Sequence, residues 1–299
     1  MRSLEVDVHG PVHVADFGGE GRPIVLIHGL GGSHLNWLAV APALAEHGHV
    51  VAPDLAGFGR TPLAGRSAAV LPQRDLLLRY LKQEIGEPAV IVGNSMGGLI
   101  TLLVAARAPH LVEAVVTVGA ALPLKPRDRL RRANLDPRVV GHFAAYMVPG
   151  LAQRLLERRY EKLGPEGVTR DVLELCTVDV SRVHEDVVAA HMELARERAD
   201  TGWTSDAFLE AARSMVPLLL RRRKIEELVA RIEAPGLVIQ GSEDRLVPAA
   251  AAQRLAQVRP DWTFEEFPDV GHVPQLEAAD RFVTCVTGWI GGLGAAAAA

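Results

Sequence analysis

The sequence has few cysteines and little net charge. Only Cys176 and Cys285 occur among 299 residues, and their positions fit neither a disulfide framework nor a cysteine metal site. Each lies in a periodic apolar run, so both are predicted to be free, buried thiols. The net charge of −4 gives no reason to expect nucleic acid as a partner.

The sequence also lacks long apolar runs. No stretch approaches the roughly 20 consecutive apolar residues that a membrane-spanning helix needs. Residues 1–10 become polar too soon for a signal peptide. We therefore expect no membrane span and a cytoplasmic location, and the sequence leaves open whether the chain forms a homodimer.

Short apolar runs that end at Gly or Pro are present instead, and they alternate with helical patterns. The predicted strands are a hairpin over 6–8 and 12–16, followed by 24–27, 50–52, 89–92, 114–118, 237–239 and 263–267. The predicted helices cover 71–85, 95–108, 249–258 and 275–290. This alternation predicts an α/β fold with a mostly parallel, doubly wound sheet, whose ligand site lies beyond the C-terminal ends of the strands.

One segment interrupts the alternation. Residues 123–214 show helical and loop patterns rich in Arg and Glu, without a convincing strand. We predict that this segment is a helical cap over the sheet edge, and that 1–122 and 215–292 form the core. Residues 293–299 are predicted to be a disordered tail.

A candidate nucleophile lies in Gly93-Asn94-Ser95-Met96-Gly97, between a predicted strand and a predicted helix. A serine hydroxyl needs a base, an orienting acid and donors for the developing oxyanion. The strand–turn–helix context predicts a nucleophile elbow, in which the glycines let the helix and the strand approach closely. The alternative interpretation makes Ser95 an ordinary helix N-cap.

Two further residues complete a catalytic triad in the expected chain order. Asp244 follows the strand at 237–239, and His272 follows the strand at 263–267, so both lie at the same sheet edge as Ser95. His272 is predicted to take the Ser95 proton, and Asp244 to orient the imidazole. Glu243 competes with Asp244 for the orienting role.

The backbone N–H groups of Met96 and Leu30 are the predicted oxyanion hole, because the loop 28–33 is glycine-rich enough to turn its amides inward. Neither a metal nor another cofactor is expected. The residues predicted to contact substrate are Gly29, His34, Asn94 and Val273.

Five segments resemble the α/β-hydrolase superfamily: HGLGGS (28–33), DLAGFGRTP (54–62), GNSMGG (93–98), GSEDRLVP (241–248) and GHVPQLE (271–277). The resemblance implies the α/β-hydrolase fold with an inserted cap. Asp54 is interpreted as structural, because an aspartate at this position can accept hydrogen bonds from its own turn.

The resemblance also narrows the chemistry. Haloalkane dehalogenases and epoxide hydrolases carry Asp where this chain has Ser95. Meta-cleavage-product C–C hydrolases share GNSMGG, but they tend to read GxGPGA at the loop that is 29–33 here, and Trp where this chain has Val273. The resemblance therefore implies a serine esterase acting on a small-molecule carboxylic ester. A C–C hydrolase, a thioesterase or acyltransferase, and a non-enzymatic ligand receptor remain alternatives.

Overall fold

The computed structural model describes residues 1–124, 141, 145–148, 150–199 and 204–297. The strands are β1 (Arg2–Asp7), β2 (Pro11–Gly18), β3 (Pro23–Ile27), β4 (His49–Pro53), β5 (Ala89–Asn94), β6 (Val112–Val118), β7 (Gly236–Gly241) and β8 (Thr263–Phe267). The α-helices are α1 (Ala41–Leu44), α2 (Val70–Tyr80), α3 (Met96–Arg107), α4 (Leu151–Cys176), α5 (Glu185–Ala199), α6 (Thr204–Leu220), α7 (Arg222–Val229), α8 (Ala249–Val258), α9 (Pro274–Glu277) and α10 (Ala279–Ala297).

The strands form one sheet in the order β1-β2-β4-β3-β5-β6-β7-β8. β1 pairs with β2, and β2 with β4, in antiparallel orientation, whereas all other neighbours are parallel. The predicted fold class is confirmed. Because the parallel strands share one direction, the loops after β3, β5, β6, β7 and β8 emerge at the same edge of the sheet.

Apolar side chains cover both faces of the sheet. In β3, Val25 and Ile27 pack into the cluster that also holds residues of α2 and α3. Ile24 and Leu26 point to the opposite cluster, which includes residues of α1 and α10. The continuous apolar runs in the sequence follow from this double burial.

Most predicted elements agree with the structure within a few residues, and the larger differences are an earlier start of β1 and changes in two helices. The helix predicted over 71–85 ends as α2 at Tyr80 and continues as a π-helical turn, Leu81–Ile85. The helix predicted over 275–290 is broken at Ala278 (φ −137°, ψ 51°) into α9 and α10. α10 runs past residue 293 to Ala297, through alanine-rich sequence of high helix propensity, and the predicted tail at 293–299 stays a prediction.

Helices fill the described part of the predicted cap. Between the end of β6 and the start of β7, the described residues contain helices and no strand. Residues 125–140, 142–144, 149 and 200–203 of this segment lie outside the described part of the chain. Because α6 runs across residue 214, the exact division into cap and core stays a prediction.

Asp54, directly after β4, is a buried anchor for three parts of the chain. Its carboxylate accepts hydrogen bonds from the N–H of Arg60 (2.8 Å), the Nδ1 of His13 (2.9 Å) and both the N–H (2.6 Å) and the Nδ1 of His34. The bond from Arg60 N–H confirms that Asp54 accepts from its own turn. Although burial alone would raise the pKa of Asp54, these hydrogen bonds hold it well below its usual range.

His28, directly after β3, is also fully buried. Its Nε2 must accept a hydrogen bond, because its partner is the Leu55 N–H (3.0 Å). The proton therefore lies on Nδ1, which donates to the Gly29 carbonyl (2.8 Å). Burial lowers the pKa of His28 to about 4, more than the nearby Asp54 carboxylate raises it, so the ring is neutral at pH 7.

The N-terminus of α3 packs closely on the end of β3 at Gly97. A Cβ at this position would overlap the carbonyl oxygens of Ile27 and His28. We expect Gly97→Ala to lower the free energy of unfolding by about 1–3 kcal/mol, because backbone on both sides must move apart. Gly288→Ala is the matched control, because Gly288 is a helical glycine with open space around its Cβ position.

Chemical denaturation of both variants checks this prediction. The control should be neutral, or stabilised by up to about 1 kcal/mol through its higher helix propensity. Equal stability of the two variants would contradict the close packing at Gly97.

Acidification should destabilise the fold through His28. Its pKa is about 4 in the folded protein against 6.5 for the free side chain, so the unfolded chain binds more protons between these values. Stability therefore falls as pH decreases through this window, by about 3 kcal/mol in total at about 1.4 kcal/mol per pKa unit. Urea denaturation between pH 4 and pH 7 should show a steeper decline for the wild type than for His28→Gln. Equal declines in the two proteins would show that His28 is not the cause of the destabilisation by acid.

Candidate active site

Ser95 lies at the turn between β5 and α3 with a strained backbone. Its φ of 54° and ψ of −117° fall in a region that non-glycine residues rarely adopt. The turn is held from several sides: Ser95 N–H donates to Val118 O (2.9 Å), and Ser95 O accepts from Ala121 N–H (3.0 Å). A strained serine between a strand and a helix has the backbone geometry expected of a nucleophile elbow, and the role of Ser95 as nucleophile stays a prediction.

Glycines allow the backbone to close around this turn. A Cβ at Gly93 would overlap the carbonyl oxygen of Gly97 and the hydroxyl of Thr101. A Cβ at Gly98 would lie 2.7 Å from that of Ala120, on the segment after β6. The close approach expected from the sequence pattern is therefore present on both sides of Ser95.

Asp244 and His272 are hydrogen-bonded to each other. His272 Nδ1 lies 2.7 Å from Asp244 Oδ2, and both residues are buried. The other carboxylate oxygen accepts from the N–H groups of Leu246 and Val247 at 2.8 Å each. Because an ionised carboxylate only accepts, His272 donates from Nδ1, and its Nε2 is left as the basic nitrogen.

Glu243, the alternative orienting acid, is exposed, and its carboxylate accepts a hydrogen bond from the hydroxyl of Ser242. Of the two neighbouring acids, the structure therefore brings only Asp244 to the imidazole of His272.

The loops of Ser95 and His272 meet at the sheet edge. Asn94 Nδ2, next to Ser95, donates to Val118 O (3.0 Å) and to His272 O (3.2 Å). A Cβ at Gly119, after β6, would lie 3.1 Å from His272 Nδ1. The hydrogen bonds of the described residues include none between the Ser95 hydroxyl and His272, and in ligand-free sites this bond is often long.

Two backbone N–H groups are candidates for the oxyanion hole. Met96 is the first residue of α3, where N–H groups have no partner within the helix. The Leu30 N–H shares a peptide unit with the Gly29 carbonyl, which accepts from His28 Nδ1 (2.8 Å) and from Gly32 N–H (3.1 Å). Since the N–H and C=O of a trans peptide point in opposite directions, these bonds turn the Leu30 N–H away from the His28 ring.

The four predicted substrate contacts occupy different surroundings. A Cβ at Gly29 would lie 3.0 Å from that of Ser95, so this loop passes beside Ser95. Asn94 is occupied by the two carbonyls described above, and Val273 packs in an apolar cluster with Leu173 and Leu276. His34 is buried beside Asp54, and its Nε2 has no hydrogen-bond partner among the described residues. Contact of each with substrate stays a prediction.

Three buried polar residues around the site had no assigned part in the sequence analysis. His28 donates to the Gly29 carbonyl (2.8 Å), Gln240 donates to Asp244 Oδ2 (3.0 Å), and Glu277 accepts a hydrogen bond from Gly271 N–H (2.7 Å). His28 and Glu277 lie within segments already singled out, and Gln240 is a polar residue at the end of an apolar strand. A buried polar side chain needs a hydrogen-bond partner, so the sequence could have indicated Gln240 as a residue that bonds to a neighbouring polar group.

His13, His34 and Asp54 bring candidate metal-ligating atoms within 4.8 Å of one another. The Asp54 oxygens, however, already accept hydrogen bonds from backbone N–H groups and both imidazoles. This arrangement fits a buried hydrogen-bond network, and the expectation that no metal or cofactor is used stays a prediction.

None of the helices in the described part of the chain combines the length and the hydropathy that a membrane span requires.

Three curated relatives have comparable similarity to this chain. The acetyltransferase component of an acetoin cleaving system from Pseudomonas putida is 29% identical over 269 residues, covering 89% of this chain and 63% of that protein. The chain thus spans less than two thirds of that relative. The 2-hydroxy-6-oxo-2,4-heptadienoate hydrolase of Pseudomonas putida is 29% identical over 283 residues, covering 91% of this chain and 90% of that protein. A pimeloyl-[acyl-carrier protein] methyl ester esterase from Aromatoleum aromaticum is 30% identical over 267 residues, covering 85% of this chain and 93% of that protein.

The family described as alpha/beta hydrolase fold matches residues 22–279, which include β3 to β8 and all the candidate site residues. The family resemblance expected from the sequence motifs is therefore confirmed. The chain belongs to the alpha/beta hydrolase fold family.

Proposed function

We propose that this protein is a serine hydrolase that cleaves a small-molecule carboxylic ester through an acyl-Ser95 intermediate. The observation that carries the proposal is the strained Ser95 elbow at the same sheet edge as the buried Asp244–His272 pair. A strained non-glycine residue costs about 1–3 kcal/mol, so it persists only where the surroundings enforce it. The alternative role of Ser95 as a simple helix cap is disfavoured, because its side chain makes no capping hydrogen bond to α3.

In the first half of the reaction, the Ser95 hydroxyl attacks the ester carbonyl while His272 Nε2 takes its proton. Asp244 holds the imidazole through Nδ1 and stabilises the imidazolium. The N–H groups of Met96 and Leu30 stabilise the oxyanion of the tetrahedral intermediate. His272 then donates the proton to the departing alcohol, which leaves acyl-Ser95.

In the second half, water attacks acyl-Ser95 with His272 again as the base. Collapse of the second tetrahedral intermediate releases the carboxylic acid and returns the proton to Ser95. The same imidazole therefore serves four proton transfers in one cycle, so its fixed tautomer matters in every step. The Asp244 carboxylate fixes that tautomer because it can only accept from Nδ1.

A C–C hydrolase is the second candidate. It is favoured by the 29% identity to a 2-hydroxy-6-oxo-2,4-heptadienoate hydrolase and by the shared GNSMGG segment at 93–98. The ester proposal is supported by the 30% identity to a methyl ester esterase. Rates with p-nitrophenyl esters, thioesters and a vinylogous 1,5-diketone acid separate these candidates. Faster cleavage of the diketone acid would replace the ester proposal by the C–C alternative.

We expect Ser95→Ala to abolish ester turnover, with a loss on the order of 10⁶ in kcat, because the nucleophile is removed. A fluorophosphonate probe should label the wild type and not the variant. Ser181→Ala is the control, because Ser181 is exposed and its hydrogen bonds within the described part of the chain go to Asp179. Normal turnover by Ser95→Ala would refute the proposal, and labelling without any steady turnover would favour a ligand receptor.

We expect Asp244→Asn to lower kcat by about 10⁴-fold, because an amide can hold the imidazole in the wrong tautomer. Glu243→Gln, the same type of change at the neighbouring exposed acid, should leave kcat within about twofold. The comparison is made with one ester at saturating concentration. A larger effect at Glu243 would show that the orienting acid has been misassigned.

A further inference from the structure

Glu277, the last residue of α9, has a fully buried carboxylate that accepts three backbone hydrogen bonds. One oxygen accepts from Gly271 N–H (2.7 Å), immediately before His272. The other accepts from Val178 N–H (2.7 Å) and Asp179 N–H (3.0 Å), which follow α4. Because both oxygens are occupied by N–H donors, this carboxylate is not available as an acid or base for substrate.

A second set of contacts joins the same two segments. His272 N–H donates to Cys176 O (2.7 Å), at the end of α4. Gly271 packs so closely there that a Cβ would overlap the Cys176 carbonyl. Arg182 donates to the carbonyl and the carboxylate of Asp269 at 2.7 Å each. The loop that carries His272 therefore contacts the end of α4 and the residues that follow this helix.

These bonds set where the imidazole lies. Asp244 fixes the ring at Nδ1, but the backbone of residues 271–272 has to be fixed separately for Nε2 to reach Ser95. Glu277 supplies the acceptor for Gly271 N–H, and its second oxygen ties this loop to residues 178–179. A carboxylate is suited to this position, because charge-assisted hydrogen bonds are stronger than neutral ones and three donors converge on it.

We propose that Glu277 is a positioning residue for His272, and that it couples the end of α4 to the loop of the general base. The inference rests on the proposed function, since His272 acts as a base only if Ser95 is the nucleophile. A Gln at this position keeps one accepting oxygen but turns an NH₂ group towards a backbone N–H. The loop then loses a hydrogen bond on one side and can shift.

The test compares Glu277→Gln with Glu266→Gln, an exposed glutamate on β8. Turnover of a p-nitrophenyl ester is expressed per Ser95 that the fluorophosphonate probe labels at completion, so an unfolded fraction does not enter kcat. We expect Glu277→Gln to lower kcat by about 10- to 100-fold with KM changed less than threefold, because a small displacement of the base affects the chemical step. The acidic limb of its kcat/KM profile should also move, since the Asp244–His272 contact is altered.

The outcomes separate the two proposals. Absence of turnover and labelling in the wild type would refute the proposed function itself. An active wild type with unchanged kcat and pH profile in Glu277→Gln would overturn the inference alone. The same holds if the lost activity is fully explained by fewer labelled molecules, because Glu277 would then serve stability only. If Glu277→Gln does not fold, Glu277→Asp gives the same readout, since its shorter side chain cannot span both segments.

Discussion

The backbone of Ser95 is the constraint on which the rest of the site depends. A φ of 54° at a serine is unfavourable by itself, and it is maintained because β5, the end of β6 and α3 close around the turn. That closure requires glycine where carbonyl oxygens leave no room for a Cβ, as at Gly93 and Gly97. The same packing brings the end of β3 against α3, so the loop 28–33 lies beside Ser95. Conformational strain at one residue is thus offset by close packing over three strands.

Buried polar groups hold the loops around this turn through hydrogen bonds. Asp244 accepts hydrogen bonds from His272 and from two backbone N–H groups, while His28 donates to the Gly29 carbonyl. Asp54 ties the 54–62 turn to β2 and to His34. Displacing these loops would leave buried donors and acceptors without partners, so the hydrogen bonds oppose such a displacement.

The sequence predicted the sheet and the elbow because both rest on local patterns. Apolar runs ending at Gly predicted the parallel strands, and the strand–turn–helix context predicted the position of Ser95. The contacts of Glu277 could not be predicted in this way, since they join residues 99 positions apart in the chain. The hydrogen bond between His13 and Asp54, which lie 41 positions apart, could not be predicted for the same reason.

The break at Ala278 was missed because apolar periodicity continues from α9 into α10. The choice between Asp244 and Glu243 also needed the fold, since both follow the same strand.

Acyl-Ser95 is the proposed intermediate, while relatives of similar identity carry the names of a methyl ester esterase, a 2-hydroxy-6-oxo-2,4-heptadienoate hydrolase and an acetyltransferase component. The most direct test is rapid quenching of the enzyme with a p-nitrophenyl ester, followed by tryptic digestion and mass spectrometry. Residues 83–107 form one tryptic peptide, and Ser95 is its only serine. We predict that the acyl mass appears on Ser95 and decays at the rate of turnover. Steady turnover with no acyl group on Ser95, or with the acyl group on another residue, would contradict the account.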